Sequence, residues 1–245
     1  MLRRVMMVWS EIAGRIADAG DEAQAKHLSR FFKTGPGEYG ERDCFLGVRV
    51  PETRRIVGEF KGSVTLEDVR VLTESRYHEV RLAGFFSLIE IYKGVKRRKG
   101  DCRGVVDFYL SLLDRGNNWD LVDVVAPKIL GDYLVSHADE RSVLYELAAM
   151  KDKLWHQRVA MVSCWTLICA GEYDDTLRLA EGFLNHRHDL MHKATGWMLR
   201  EMGKRGGDAE LRAFLDRYAQ IMPRTMLRYA IEKFTAEDRA HYMGR

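Results

Sequence analysis

The strongest constraint on this chain is that it resembles itself. YHEVRLAGFFSLIEIY (77–92) matches LWHQRVAMVSCWTLIC (154–169), with Arg81 and Arg158 each two residues before an alanine. RTMLRYAIEKF (224–234) repeats the pattern at Arg228, and DLMHKATGWML (189–199) places Lys193 there. The stretch NNWDLVDVVAPKILGDYL (117–134) falls between the first two around Trp119 and Asp120. The anchors 81, 120, 158, 193 and 228 recur at 39, 38, 35 and 35 residues. A second, shorter helical pattern lies between successive anchors, for example SVLYELAAM (142–150) and DDTLRLAEGFL (174–184).

Helix pairs at a period near 40 residues are units that bury their apolar faces only by stacking on their neighbours. The expected fold is therefore all-α: a HEAT-like helical-repeat solenoid with a concave inner surface. Nearly every segment has helical periodicity, including an amphipathic first helix with Val5, Val8, Trp9, Ile12 and Ile16 on one side. FLGVRV (45–50) is the best strand candidate, and Pro51 then opens a helix. Only four prolines occur and no Ser/Gly/Pro-rich linker interrupts the chain, so residues 1–245 read as one domain. No apolar run reaches the ~18 residues that span a membrane. VMMVW is too short for a signal-peptide core. The four cysteines show no metal-type or CxxC spacing and read as free thiols, which suits the cytoplasm.

Equivalent helices should present equivalent faces. The neighbours at i, i+3 and i+4 give Tyr77 with Arg81, Trp119 with Asp123, and Trp155 with Arg158. They continue with Lys193, Trp197, Arg200 and Lys204, then Arg224 with Arg228. In one helix alone such residues read as core aromatics and solvated basics. Repeated in register, they line a groove suited to a polyanion, with cations for phosphates and aromatics for sugars or bases. The net charge of only +3 is compatible, because acidic residues gather on the outer helices.

Asp123 is the exception in that groove. Asn118 reads as the N-cap of its helix, which leaves Asp120 explained by the helix dipole. Asp123 lies a turn deeper, on a face with Trp119 and Pro127. Either it pairs with Arg158 of the next repeat, or it is an anion kept to stabilise a developing positive charge.

NNWDLVD, LWHQRVA, HKATGWMLREMGK and MPRTMLRYAIEKF, in this order and spacing, resemble the DNA alkylation repair enzymes of the AlkD type, which are HEAT-like-repeat DNA glycosylases. The similarity runs from about Ala25 to Phe234 and includes FLGVRVPETRR. The resemblance implies a catalytic carboxylate at Asp123, aromatic walls for the damaged nucleotide at Trp119 and Trp197, and a basic residue of the same site at Arg158. All four are present, which argues against the family's catalytically silent relatives. Where the family can carry a tyrosine in the second helix, this chain offers Phe31 or Phe32. The implied reaction excises N3- or N7-alkylated purines from duplex DNA with the base still stacked, using no metal and no cofactor. No lysine is placed beside Asp123 for a Schiff base, so a monofunctional enzyme leaving an abasic site is expected. Arg81, Lys193, Arg200, Lys204, Arg224 and Arg228 would contact DNA, and a monomer is the default.

Two other features have plainer readings. NHRHDLMH (185–192) brings three histidines together, but its spacing supplies no further ligand, so phosphate or solvent contact is expected ahead of zinc. KGVKRRKG (93–100) reads as a solvated basic loop that could track a DNA backbone. Two other functions share much of this pattern. A non-catalytic binder of distorted or branched DNA has no need of Asp123. A protein-binding HEAT scaffold would show apolar ridges instead of Arg/Trp pairs.

Overall fold

A computed structural model describes residues 7–244 and contains fifteen α-helices among them. In order they are α1 (Val8–Asp18), α2 (Glu22–Phe31), α3 (Val50–Glu59), α4 (Leu66–Thr73), α5 (His78–Arg97), α6 (Arg103–Ser111) and α7 (Trp119–Val125). There follow α8 (Leu130–Ser136), α9 (Ser142–Ala149), α10 (Leu154–Cys169), α11 (Asp174–Gly182) and α12 (Asp189–Lys204). The last three are α13 (Asp208–Tyr218), α14 (Arg224–Ala230) and α15 (Ala236–Gly244). The fold is all-α. The described residues form two compact units, one ending at Leu121 and the other starting at Val122.

In the first unit, α1 packs on α3, α4 and α5, while α5 also receives α3, α4 and α6. Ile12 and Ile16 of α1 are fully buried, as the amphipathic pattern predicts; Val5 lies outside the described residues. α4 begins with a capping box: Thr65 accepts from the Asp68 amide, and the Asp68 carboxylate accepts from the Thr65 amide. Among the described residues, 45–50 form no strand; Cys44 makes only an isolated bridge with Tyr77. The reason is the buried Glu79 of α5. Its carboxylate accepts from the amides of Leu46 (2.9 Å), Gly47 (2.8 Å) and Val48 (3.2 Å), so those donors have no partner strand to serve. Gly47 has φ +88°, and a Cβ there would overlap the Asp21 carbonyl, so only glycine fits this wrap.

In the second unit the helix pairs of the repeat are visible. α10, α12 and α14 pack side by side in succession, and α9, α11 and α13 cover them. α12 approaches α14 closely because Gly196 faces the Met226 carbonyl, which a Cβ would overlap. The stretch 117–134, apolar at helical spacing along its length, is three pieces. Pro127 cannot donate to the ladder, so α7 ends at Val125, a 3₁₀ turn covers Ala126–Lys128, and α8 resumes at Leu130. The segment 93–100, expected as a loop, is helical as far as Arg97. Lys96 and Arg97 thus fall in its last turn, where they complement the helix dipole. No helix among the described residues is long and apolar enough to cross a membrane.

Candidate active site

In the second unit Asp123 meets Arg158. The guanidinium grips the carboxylate in a fork, Nε to Oδ1 at 2.8 Å and NH2 to Oδ2 at 2.7 Å. Its remaining nitrogen, NH1, donates to the Leu190 carbonyl of α12 at 2.6 Å. The Arg158 side chain is 6% exposed, so it is occupied inside the unit and is not a phosphate contact at the surface. Of the two readings that the sequence leaves open for Asp123, the ion pair with the next repeat is therefore present. The pair does not bury the carboxylate, whose side chain keeps 18% of its surface.

In the first unit the equivalent arginine does something similar. Arg81 binds Asp43, and it also donates to the carbonyls of Ser75 (3.0 Å) and Arg76 (3.1 Å). Here the Asp43 side chain is 0% exposed and Arg81 is buried. The expectation that Arg81 contacts DNA is therefore corrected: the guanidinium is consumed by an internal carboxylate in a non-helical loop.

Trp119 opens α7 and is half-buried. Its ring stacks on Phe32 at 5.2 Å between centroids and meets Phe31 edge-on at 5.9 Å. Both candidate phenylalanines at the end of α2 thus touch Trp119, and the exposed Phe31 presents no hydroxyl. Trp119, Phe31, Phe32, Phe45, Val50 and Pro51 help line a cleft of about 370 Å³ with almost wholly apolar walls.

Beneath it lies a charge network that the sequence did not disclose. His78 Nδ1 lies 2.9 Å from Asp43 Oδ2, and Nε2 lies 2.8 Å from Asp120 Oδ2. A neutral imidazole has one N–H and would turn a lone pair toward one of these carboxylates; only the imidazolium donates to both. Burial lowers the His78 pKa, but the charges and hydrogen bonds of Asp120 and Asp43 outweigh it and raise it to about 9. Burial conversely raises the Asp43 carboxyl, while His78 and Arg81 prevail and hold it below the ordinary carboxylate value. Asp120 therefore does more than complement a helix dipole. Asn118 precedes α7 at the expected cap position, where its Oδ1 accepts from the Trp119 amide; it is also fully buried and donates to Asp43 at 3.4 Å.

The other expected residues are more dispersed in their roles. Trp197 is half-buried on α12. Lys193 pairs with Asp189 at 2.6 Å and Lys204 donates to Glu201 at 3.2 Å, with both side chains at least 40% exposed. Arg200 is 18% exposed and tied to Glu232 and Glu201, which corrects its reading as an available phosphate contact. Arg224 donates to the Met243 carbonyl at 2.9 Å from an exposed position, and Arg228 is exposed. The three histidines of 185–192 are engaged locally. His186 Nε2 meets Gln157 at 2.9 Å, His188 caps α12 by accepting from the Leu190 amide, and His192 Nε2 reaches the His186 carbonyl.

An all-α helical-repeat protein whose repeat helices carry aspartate-clamping arginines and half-buried tryptophans is the class that these observations define. The family described as "DNA alkylation repair enzyme" matches residues 12–234, and the chain belongs to it. Its function is accordingly in DNA repair. A solved structure described as "Predicted DNA alkylation repair enzyme from Enterococcus faecalis" shares the fold with a TM-score of 0.70 at 16% identity. The match covers 89% of this chain and 97% of that one. No curated protein matches the chain.

Proposed function

We propose that this protein is a monofunctional DNA glycosylase acting in base excision repair. It hydrolyses the N-glycosidic bond of N3- or N7-alkylated purines in duplex DNA without deep base flipping, as a cytoplasmic monomer with no cofactor. The observation that carries this reading is the contrast between the two arginine-clamped aspartates. Asp43 is sealed from solvent, whereas Asp123 is held just as firmly yet keeps 18% of its side chain exposed.

The chemistry follows from that placement. An alkylated purine is already cationic, so it departs as a neutral base when the C1′–N bond breaks, and no general acid is required. Positive charge then develops on the deoxyribose ring, as in other glycosyl transfers. Asp123 faces that charge, and Arg158 fixes the carboxylate in orientation. Water adds to C1′ with Asp123 guiding it, and its proton passes to the carboxylate or to solvent. The resemblance assigns Trp119 and Trp197 each to hold the cationic nucleotide through its π face.

The test is release of free 7-methylguanine from methylated duplex DNA. Losing one preorganised charge costs on the order of 3 kcal/mol, so Asp123→Asn should release base about a hundredfold more slowly than wild type. Wild type that releases no base would sink the enzyme reading, and undiminished release by the variant would remove Asp123 from its role. One observation favours a second reading, a non-catalytic DNA-binding relative: Asp123 already has a structural partner in Arg158. The same assay separates the two.

A further inference from the structure

We propose that His78 is the positioning residue that sets the ring of Trp119 and the first turn of α7. The inference rests on the reading of Trp119 as a wall for the damaged nucleotide, but its geometry lies wholly within the first unit.

Two routes run from the imidazolium to Trp119. One is electrostatic: Nε2 donates to Asp120 Oδ2 at 2.8 Å, while Asp120 Oδ1 accepts from the Leu121 amide at 2.9 Å. The carboxylate thereby ties the residue after Trp119 to the buried ring. The other is a run of stacked rings. His78 stacks on Phe45 at 4.6 Å and packs against Phe32 at 5.1 Å, and Phe32 stacks on Trp119 at 5.2 Å. A cation against these faces is attracted to them, so protonation strengthens both routes. Other groups fix the far side. Asp43 accepts from Nδ1, Arg81 holds the second Asp43 oxygen, and Asn118 donates to Asp43. Glu79, the next residue, is turned away onto the amides of Leu46, Gly47 and Val48. Both Trp119 and Asp120 line the apolar cleft, so their placement bears on what that surface can hold.

The test uses the full chain labelled with 5-fluorotryptophan, with the Trp119 resonance identified by its loss in Trp119→Phe. His78→Gln removes the charge but can fail to fold. Asp120→Asn, at the half-buried outer end of the network, keeps the question answerable. In wild type the Trp119 resonance should move with a midpoint near pH 9. Asp120→Asn should displace that resonance and lower its midpoint. Under single-turnover conditions it should also slow base release by between about 10- and 100-fold, the cost of a misplaced contact, with duplex affinity unchanged. The proposal is overturned if Asp120→Asn leaves the resonance, its pH midpoint and the release rate as in wild type. It is equally overturned if the variant only lowers the melting temperature. Should wild type release no base, the glycosylase reading fails separately, and the fluorine arm alone decides whether His78 sets Trp119.

Discussion

Arg81 and Arg158 show why residue identity and spacing carry function only part of the way. Both were visible as cations at matching places in the repeat, and both are spent on aspartates that lie 38 and 35 residues earlier. Asp123 could be singled out because a carboxylate in an apolar helical run asks for an explanation. Asp43 could not, since it lies in an irregular loop with no periodicity to mark it, and His78 had no meaning without it. The clamp makes Arg158 a positioning group. Removing it leaves a partly buried carboxylate with fewer partners, so Arg158→Ala should destabilise the chain by roughly 1–3 kcal/mol. Base release should fall more than duplex affinity does, and Arg158→Lys should not restore it, because an ammonium cannot make the fork. An affinity loss matching the rate loss would return Arg158 to phosphate binding. His78 gives a pH prediction of definite sign. Its pKa rises from an ordinary 6.5 to about 9 in the fold, so its stabilisation is complete below about pH 6.5 and is lost as pH rises through 9. Urea unfolding at pH 6 and pH 10 should differ by on the order of 3 kcal/mol more in wild type than in His78→Gln. Equal differences would mean that the ring is neutral in the native state.

At the scale of elements, helices were readable wherever an apolar face recurred at the helical period, and errors fell where a specific side chain overrode the local pattern. FLGVRV has strand-like alternation, yet Glu79 takes its amides and no strand forms. The run through 117–134 has continuous helical periodicity, yet Pro127 splits it into α7 and α8. These interruptions matter because they make α7 a short helix whose seven residues include both Trp119 and Asp123. The approach of α12 to α14 depends on one missing side chain. Gly196→Ala would drive a methyl into the Met226 carbonyl, backbone that cannot rotate away. Overpacking of this kind costs about 1–3 kcal/mol, and the same shift would move the adjacent Trp197. Chemical denaturation should show the loss in stability, and base release should drop with it. A variant as stable and as active as wild type would show that the two helices can part without consequence.

For the molecule as a whole, the all-α repeat was legible because five anchor segments share a period, a signal spread over many residues and tolerant of local errors. Charge distribution is the global property that decides between DNA and protein as the partner. The chain carries 39 basic and 36 acidic residues, so any polyanion must be held by cations that are not already paired inside. The sequence offered seven such cations: Arg81, Arg158, Lys193, Arg200, Lys204, Arg224 and Arg228. Arg81, Arg158 and Arg200 are engaged with carboxylates and mostly buried, which leaves four nearer the surface, two of them, Lys193 and Lys204, themselves paired with Asp189 and Glu201. Each phosphate neutralised contributes about −0.9 to the slope of log affinity against log salt, so duplex binding should show a slope near −4 and not near −6. Arg228→Ala should reduce that slope by about one and weaken binding equally across sequences. A steeper slope would mean that the clamped arginines release their aspartates on binding. That would put Asp123 in contact with DNA without its partner. A slope near zero would remove DNA as the ligand and leave the helical repeat a scaffold for protein.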